Sequence, residues 1–225
     1  MKPAGGTELQ HEFLKKHVAS ELLDHFQICT SVPGKVPIAA NKINILWQKM
    51  APDQPHFQEF FKDPEQIKQY DYYVFNSHWN YEQFRKQFNI PLERCTVIKN
   101  GILDFKKRDP APKRDKIKLI YHPTPWRGLS IESLACGLFV VTTDNGALYE
   151  TCSEFPVYVP YDNNFKNLAH QFAAIIDGIP DQINSKGCHN HLRYQSNFFN
   201  HFYNWKNIAG QWEQFLKGAL NARPQ

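Results

Sequence analysis

KIKLIYHPTPWRGLSIESLACGLFVVTTDNGALYETC, residues Lys116–Cys152, is the stretch that decides the fold. Lys118–Tyr121 is a short apolar run between polar residues, and Leu138–Thr143 (LFVVTT) is a β-branched run of buried-strand length. Between them Ile131–Cys136 reads as a short helix stopped by Gly137. Beyond the second run, Asp144-Asn145-Gly146 forms a turn and Ala147–Thr151 begins another helix. Strand, helix, strand at this spacing is a βαβ unit, so the sheet is parallel. Such sheets bind ligands beyond the carboxyl ends of their strands. Pro125-Trp126-Arg127-Gly128 and Thr143-Asp144-Asn145-Gly146 stand at those ends, where a cation, the carboxylate of Glu132 and two glycine turns converge.

The same residues carry a family likeness. ESLACGLFVVTTDNGALYET (Glu132–Thr151) resembles the nucleotide-sugar donor motif of family 4 glycosyltransferases, and YHPTPWRGL (Tyr121–Leu129) resembles the phosphate-binding turn that opens the same domain. The resemblance implies an α/β protein of GT-B type, built from two small Rossmann-like parallel-sheet units. It implies transfer of a hexose, with retention, from a nucleotide-diphosphate sugar to a glycan, lipid or protein acceptor. No metal and no cofactor beyond the donor substrate is expected. Arg127 would fork two oxygens of the leaving diphosphate, and Glu132 would accept hydrogen bonds from the ribose hydroxyls. Donor contacts would extend to Asn100, Gly101, Trp126, Asn145, Gly146, Ala147 and Glu150. A surface salt bridge for Arg127 and an exposed helix carboxylate for Glu132 are the competing roles.

The chain also departs from that pattern. Leu129 runs directly into Ser130, where the family carries the middle of its second domain, so roughly a hundred residues are missing. Eight positions before Glu132, where the first Glu of a Glu-x7-Glu motif belongs, stands Thr124. The second domain is therefore expected to be truncated internally. The alternative to an active transferase is a catalytically impaired remnant that binds nucleotide sugars or a partner.

Upstream, Gly5-Gly6-Thr7-Glu8 opens a helix with Thr7 as its expected N-cap. Backbone N–H groups at such a start can hold an anion, and the segment resembles the glycine loop of the transferases, making Gly5, Gly6 and Thr7 an acceptor or phosphate loop. A plain capped helix explains the same residues. Phe26–Ser31, Ile43–Trp47, Tyr72–Asn76 and Thr96–Ile98 read as strands, with helices over His56–Gln69, breaking at Pro64, and Trp79–Phe88. Lys49 follows the second strand, where related sequences often place a His, and His78 follows the third; both are further site candidates. This gives a first domain over residues 1–105. Phe105–Lys116 (FKKRDPAPKRDK), with two prolines and dense charge, is the expected linker over 106–116. A shortened donor-side domain over 117–225 then contains a strand at Val157–Val159 and helices at Asn164–Asp177 and Trp205–Leu216, the last bridging back to the first domain.

Bulk properties narrow the classes. The 225 residues suffice for one large or two small domains, and 42% hydrophobic with 21% charged residues describes an ordinary globular chain. A net charge of +4 is too weak to imply nucleic acid, though it suits anionic ligands or an anionic membrane surface. The five scattered cysteines include no Cys-x-x-Cys pair, which fits reduced thiols in a cytoplasmic protein. No apolar run is long enough to span a bilayer and no leader is evident, leaving peripheral membrane contact open. Cys188, His189, His191 and His201 lack a second ligand pair at zinc-finger spacing and read as a polar loop.

Overall fold

Ile43–Gln48 is buried at every position, as a strand covered on both faces must be. In the computed structural model, which describes residues 6–103, 105 and 130–222, this strand lies at the centre of the first of two units. That unit comprises the described residues up to Gly101 together with those from Trp205 onward; the second runs from Ile102 to Asn204. The strand Lys118–Tyr121, the turn Tyr121–Leu129 with Trp126 and Arg127, the linker 106–116 and Gly5 lie outside the described residues.

The first unit begins with α1 (Gly6–His17) and α2 (Ser20–Leu23) and continues through β1 (Phe26–Thr30) to β2 (Ile43–Gln48). After α3 (Pro55–Lys62) and α4 (Pro64–Ile67) come β3 (Tyr72–Phe75), α5 (His78–Gln87) and β4 (Cys95–Val97). The four strands form a parallel sheet in the order β1-β2-β3-β4. Helices cover both faces. Ile43, Ile45 and Trp47 pack with Leu14 of α1, with Val18 just beyond it, and with Trp205, Ile208, Trp212 and Leu216 of the last helix. Leu46, Tyr73 and Phe75 pack on the other side with Phe60, Phe61, Ile67 and Phe84. Alternation along β2 thus feeds two cores from one strand.

Local chemistry explains the boundaries. Pro64 cannot donate its missing N–H inside a helix, so the segment breaks there. Asp63 then caps the next turn, its carboxylate accepting from the Glu65 N–H at 2.9 Å. Ser77 caps α5 in the same way, accepting from the Asn80 N–H at 3.0 Å. The helix at the chain start differs from expectation: α1 begins at Gly6, so Thr7 lies inside its first turn rather than capping it.

The second unit contains α6 (Ser130–Ala135), β5 (Val141–Thr143), α7 (Leu148–Cys152) and β6 (Val157–Val159), followed by α8 (Phe165–Ile183) and α9 (Lys186–Phe202). β5 and β6 pair in parallel. Gly137, at φ 70°, ends α6. The Leu138 N–H reaches the Ser133 carbonyl and the Gly137 N–H the Leu134 carbonyl, both at 3.0 Å, which is a Schellman closure. The stretch 186–202 is a helix and not the polar loop its histidines suggested. Its inner face mixes Phe199 with the buried polar residues Gln195 and Ser196. These donate to carbonyls at and just beyond the end of α6: Gln195 to Leu134 at 3.1 Å and to Leu138 at 3.0 Å, Ser196 to Ala135 at 2.6 Å. A polar seam of this kind hides helical periodicity from an apolar count.

The last helix, α10 (Trp205–Asn221), belongs to the first unit. No described helix is long and apolar enough to cross a membrane.

Candidate functional site

In the first unit, all four strands end at one edge of the sheet, and polar side chains gather there. Ser31 follows β1 in a left-handed conformation, φ 63°, and its buried hydroxyl has no hydrogen-bond partner. Gln48, at the end of β2, is fully buried. Its amide nitrogen donates to the Ser31 carbonyl at 3.0 Å and its amide oxygen accepts from the Met50 N–H at 2.9 Å. Asn80 of α5 donates to Asn76 at 3.1 Å and to the Gln48 carbonyl at 3.5 Å. The amide oxygens of Asn80 and Asn100 are buried without a partner. The Ser31 hydroxyl and the Asn80 and Asn100 amide oxygens are thus three buried polar atoms, each just beyond a strand or on the helix that follows one, that no protein group satisfies. Ser31, Gln48 and Asn80 were not among the expected site residues. Their signal is positional, each lying at or just after a strand end, and it emerges only once the strands are aligned.

Lys49 continues the Trp47 row on the α1 side of the sheet. Its Nζ lies 3.4 Å from the Trp47 ring centroid and donates to the Thr7 carbonyl at 3.4 Å. Burial lowers the Lys49 pKa to about 7, against the opposing pull of the Glu8 carboxylate. The indole face also favours the ammonium, by about 0.5–2 kcal/mol, so burial outweighs two attractions. His11, one turn along α1, is lowered to about 4 by burial first and by Lys15 and Lys49 after it. It is therefore neutral at physiological pH.

Gly101 sits in a different kind of contact. Gln10 holds both of its backbone groups, accepting from the Gly101 N–H at 3.0 Å and donating to its carbonyl at 2.6 Å. A Cβ on Gly101 would meet the Trp205 ring at 2.7 Å. These contacts give Gly101 a packing role and leave its backbone engaged. Gly6 and Thr7 lie in the first turn of α1. His78 is the exposed first residue of α5.

In the second unit, Glu132 occupies the first turn of α6. Asn145, Gly146 and Ala147 form the turn between β5 and α7, with Gly146 at φ 65°. Only glycine adopts that angle without cost. Glu150 lies in the first turn of α7, and α6 packs against α7. Asp144 fixes the end of β5: its N–H reaches the Val159 carbonyl at 3.3 Å and its carboxylate accepts from the Tyr161 N–H at 2.9 Å. The unit thus holds a carboxylate in the first turn of one helix and a glycine turn leading into a second. Arg127 and Trp126 lie outside the described residues. Cys188, His189, His191 and His201 are spread along α9, and no group of three metal-ligating side chains occurs among the described residues. No protein-family model and no curated protein matches the chain.

Proposed function

We propose that the chain is a nucleotide-sugar-binding protein of glycosyltransferase type, with hexose transfer from a nucleotide-diphosphate sugar that is slow or absent in the chain as it stands. One observation carries the reading. The residues that resemble the donor motif, Glu132–Thr151, fold as helix, parallel strand, positive-φ glycine turn and helix. In the proposed role Glu132 would accept from ribose hydroxyls, and the N–H groups around Asn145-Gly146-Ala147 would donate to a phosphate or sugar oxygen.

The chemistry asks little of acids and bases. When the glycosidic C–O bond to the diphosphate breaks, negative charge builds on the leaving oxygen. Preorganised N–H donors and a guanidinium stabilise it without reorganising. Arg127 is the cation in this scheme. The two-unit GT-B architecture is part of the same proposal, as are a glycan, lipid or protein acceptor and peripheral contact with a membrane. The binding-only form is favoured over brisk catalysis by Thr124, which stands where the family's first motif Glu belongs, and by the direct junction of Leu129 with Ser130.

A thermal-shift screen across UDP- and GDP-sugars, followed by a transfer assay on any hit, tests the reading. The expected result is a small stabilisation by at least one diphosphate sugar at millimolar concentration, with little turnover. Absence of any shift with every nucleotide sugar overturns it. Micromolar affinity with rapid turnover would show that the shortened unit has rebuilt a full pocket, contradicting the impaired-transfer half.

A further inference from the structure

Helix α9 carries a row of rings that the core of the second unit does not absorb. His191, Tyr194, Phe198 and Phe202 follow at spacings of three, four and four residues, so they share a face. Tyr194 is 62% exposed and Phe202 is 52% exposed, while Phe199 and Tyr203 on the adjoining face are buried. The exposed rings are held in place from below. Buried Phe155 lies 5.8 Å from Tyr194 and 5.1 Å from Phe198 between ring centroids, and Phe198 lies 4.6 Å from Phe202. Along the helix Tyr194 and Phe202 stand about 12 Å apart.

The surroundings are polar without being acidic. Asn190 and Asn197 are exposed on either side of Tyr194, four residues before it and three after. No Asp or Glu occurs in α9; its lysine, Lys186, sits in the first turn, and its arginine, Arg193, donates to Asn190 at 3.2 Å. Size then decides between occupants. An aromatic side chain offers about 200 Å² of surface, so the exposed parts of Tyr194 and Phe202 together amount to roughly 230 Å². A stable protein interface needs about 800 Å² from each partner. The patch is too small for a second copy of the chain and matches a short run of sugar rings.

We infer that this face of α9 binds a neutral oligosaccharide, with Tyr194 and Phe202 stacked on pyranose rings and the Asn190 and Asn197 carboxamides bonded to their hydroxyls. The C–H face of a pyranose is apolar and weakly positive, and it meets the negative face of an aromatic ring. Each hydroxyl both donates and accepts, as a carboxamide does. Rings already braced by Phe155 lose little freedom on binding. The inference rests on α9 and Phe155 alone. It uses none of the residues proposed for the nucleotide sugar, so either reading can fail without the other.

The probes are maltohexaose, cellohexaose, xylohexaose and chitohexaose, with a sulfated hexasaccharide as the charged control. Each is titrated into the isotope-labelled full chain and followed by NMR. At least one neutral probe is expected to shift the amides of residues 190–202 saturably, with a Kd in the millimolar range or below. Tyr194→Ala and Phe202→Ala, both at exposed positions and checked by circular dichroism for retained fold, should each weaken that binding about threefold to tenfold. Tyr194→Trp, which keeps a stacking ring, should restore it. The inference is overturned if no neutral probe shifts α9, if the shifts survive both alanine substitutions, or if the sulfated control binds more tightly than every neutral probe. Shifts of the same amides on raising the protein concentration alone would overturn it too, because a second copy of the chain would then cover the face.

Discussion

Gly101 shows how one missing Cβ organises its surroundings. Trp205 fills the space where that atom would lie, at 2.7 Å, and Gln10 grips the backbone on both of its polar groups. Gly101→Ala therefore forces the indole or the backbone to move. Overpacking of this kind costs about 1–3 kcal/mol, and urea denaturation should show a loss of that order; an unchanged midpoint would mean that Trp205 yields freely. His11 supports a second prediction. Its folded pKa, about 4, lies below its unfolded value of 6.5, chiefly through burial. Between those values the unfolded chain binds more protons, so stability rises with pH from about 4 to 6.5 and is lost on acidification through that window. The size is on the order of 1–3 kcal/mol. His11→Gln should flatten that segment of the stability–pH curve, whereas an unchanged slope would remove His11 from the account.

At the scale of elements, the strands were legible because β-branched and aromatic runs of the right length alternate with helical spacing. Ile43–Trp47 and Val157–Val159 emerge nearly as read, β2 gaining only Gln48 at its end. Pro64 and Gly137 were legible because each acts through its own backbone. β5 is shorter than LFVVTT suggested, since Leu138 belongs to the closure of α6 and only Val141–Thr143 pairs. The helix α9 was missed because two of its buried positions, Gln195 and Ser196, are polar and answer carbonyls of a distant segment. α8 runs past Asp177 and through Pro180 to Ile183; a proline usually signals a stop, but Pro180 is exposed and the helix continues around it. Among the candidate site residues, the glycine turn after β5 was readable from Asp-Asn-Gly alone. The unpartnered acceptors of Ser31, Asn80 and Asn100 were not, because they depend on where neighbouring strands end. Gly137→Ala tests the closure of α6: a Cβ at φ 70° costs about 1–2 kcal/mol. Thermal unfolding of the variant should drop accordingly, and no drop would mean that the turn relaxes.

For the molecule as a whole, the two parallel sheets place polar residues at their carboxyl edges while helices take up the apolar faces. In the four-stranded unit both faces of the sheet are covered. The second unit pairs only two strands among its described residues, so the proposed donor site would rest on few contacts. A charge-assisted hydrogen bond contributes about 1.5–3 kcal/mol, and two of them correspond to binding in the millimolar range, about 4 kcal/mol. The most direct test is a paired titration of UDP and uridine, followed by NMR, against wild type, Arg127→Ala and Glu132→Gln. The account predicts that Arg127→Ala weakens UDP and leaves uridine unchanged, because its partner is the diphosphate. It predicts that Glu132→Gln weakens both, because its partner is the ribose they share. Equal losses for both ligands in Arg127→Ala, or no effect of either substitution on UDP, would contradict it.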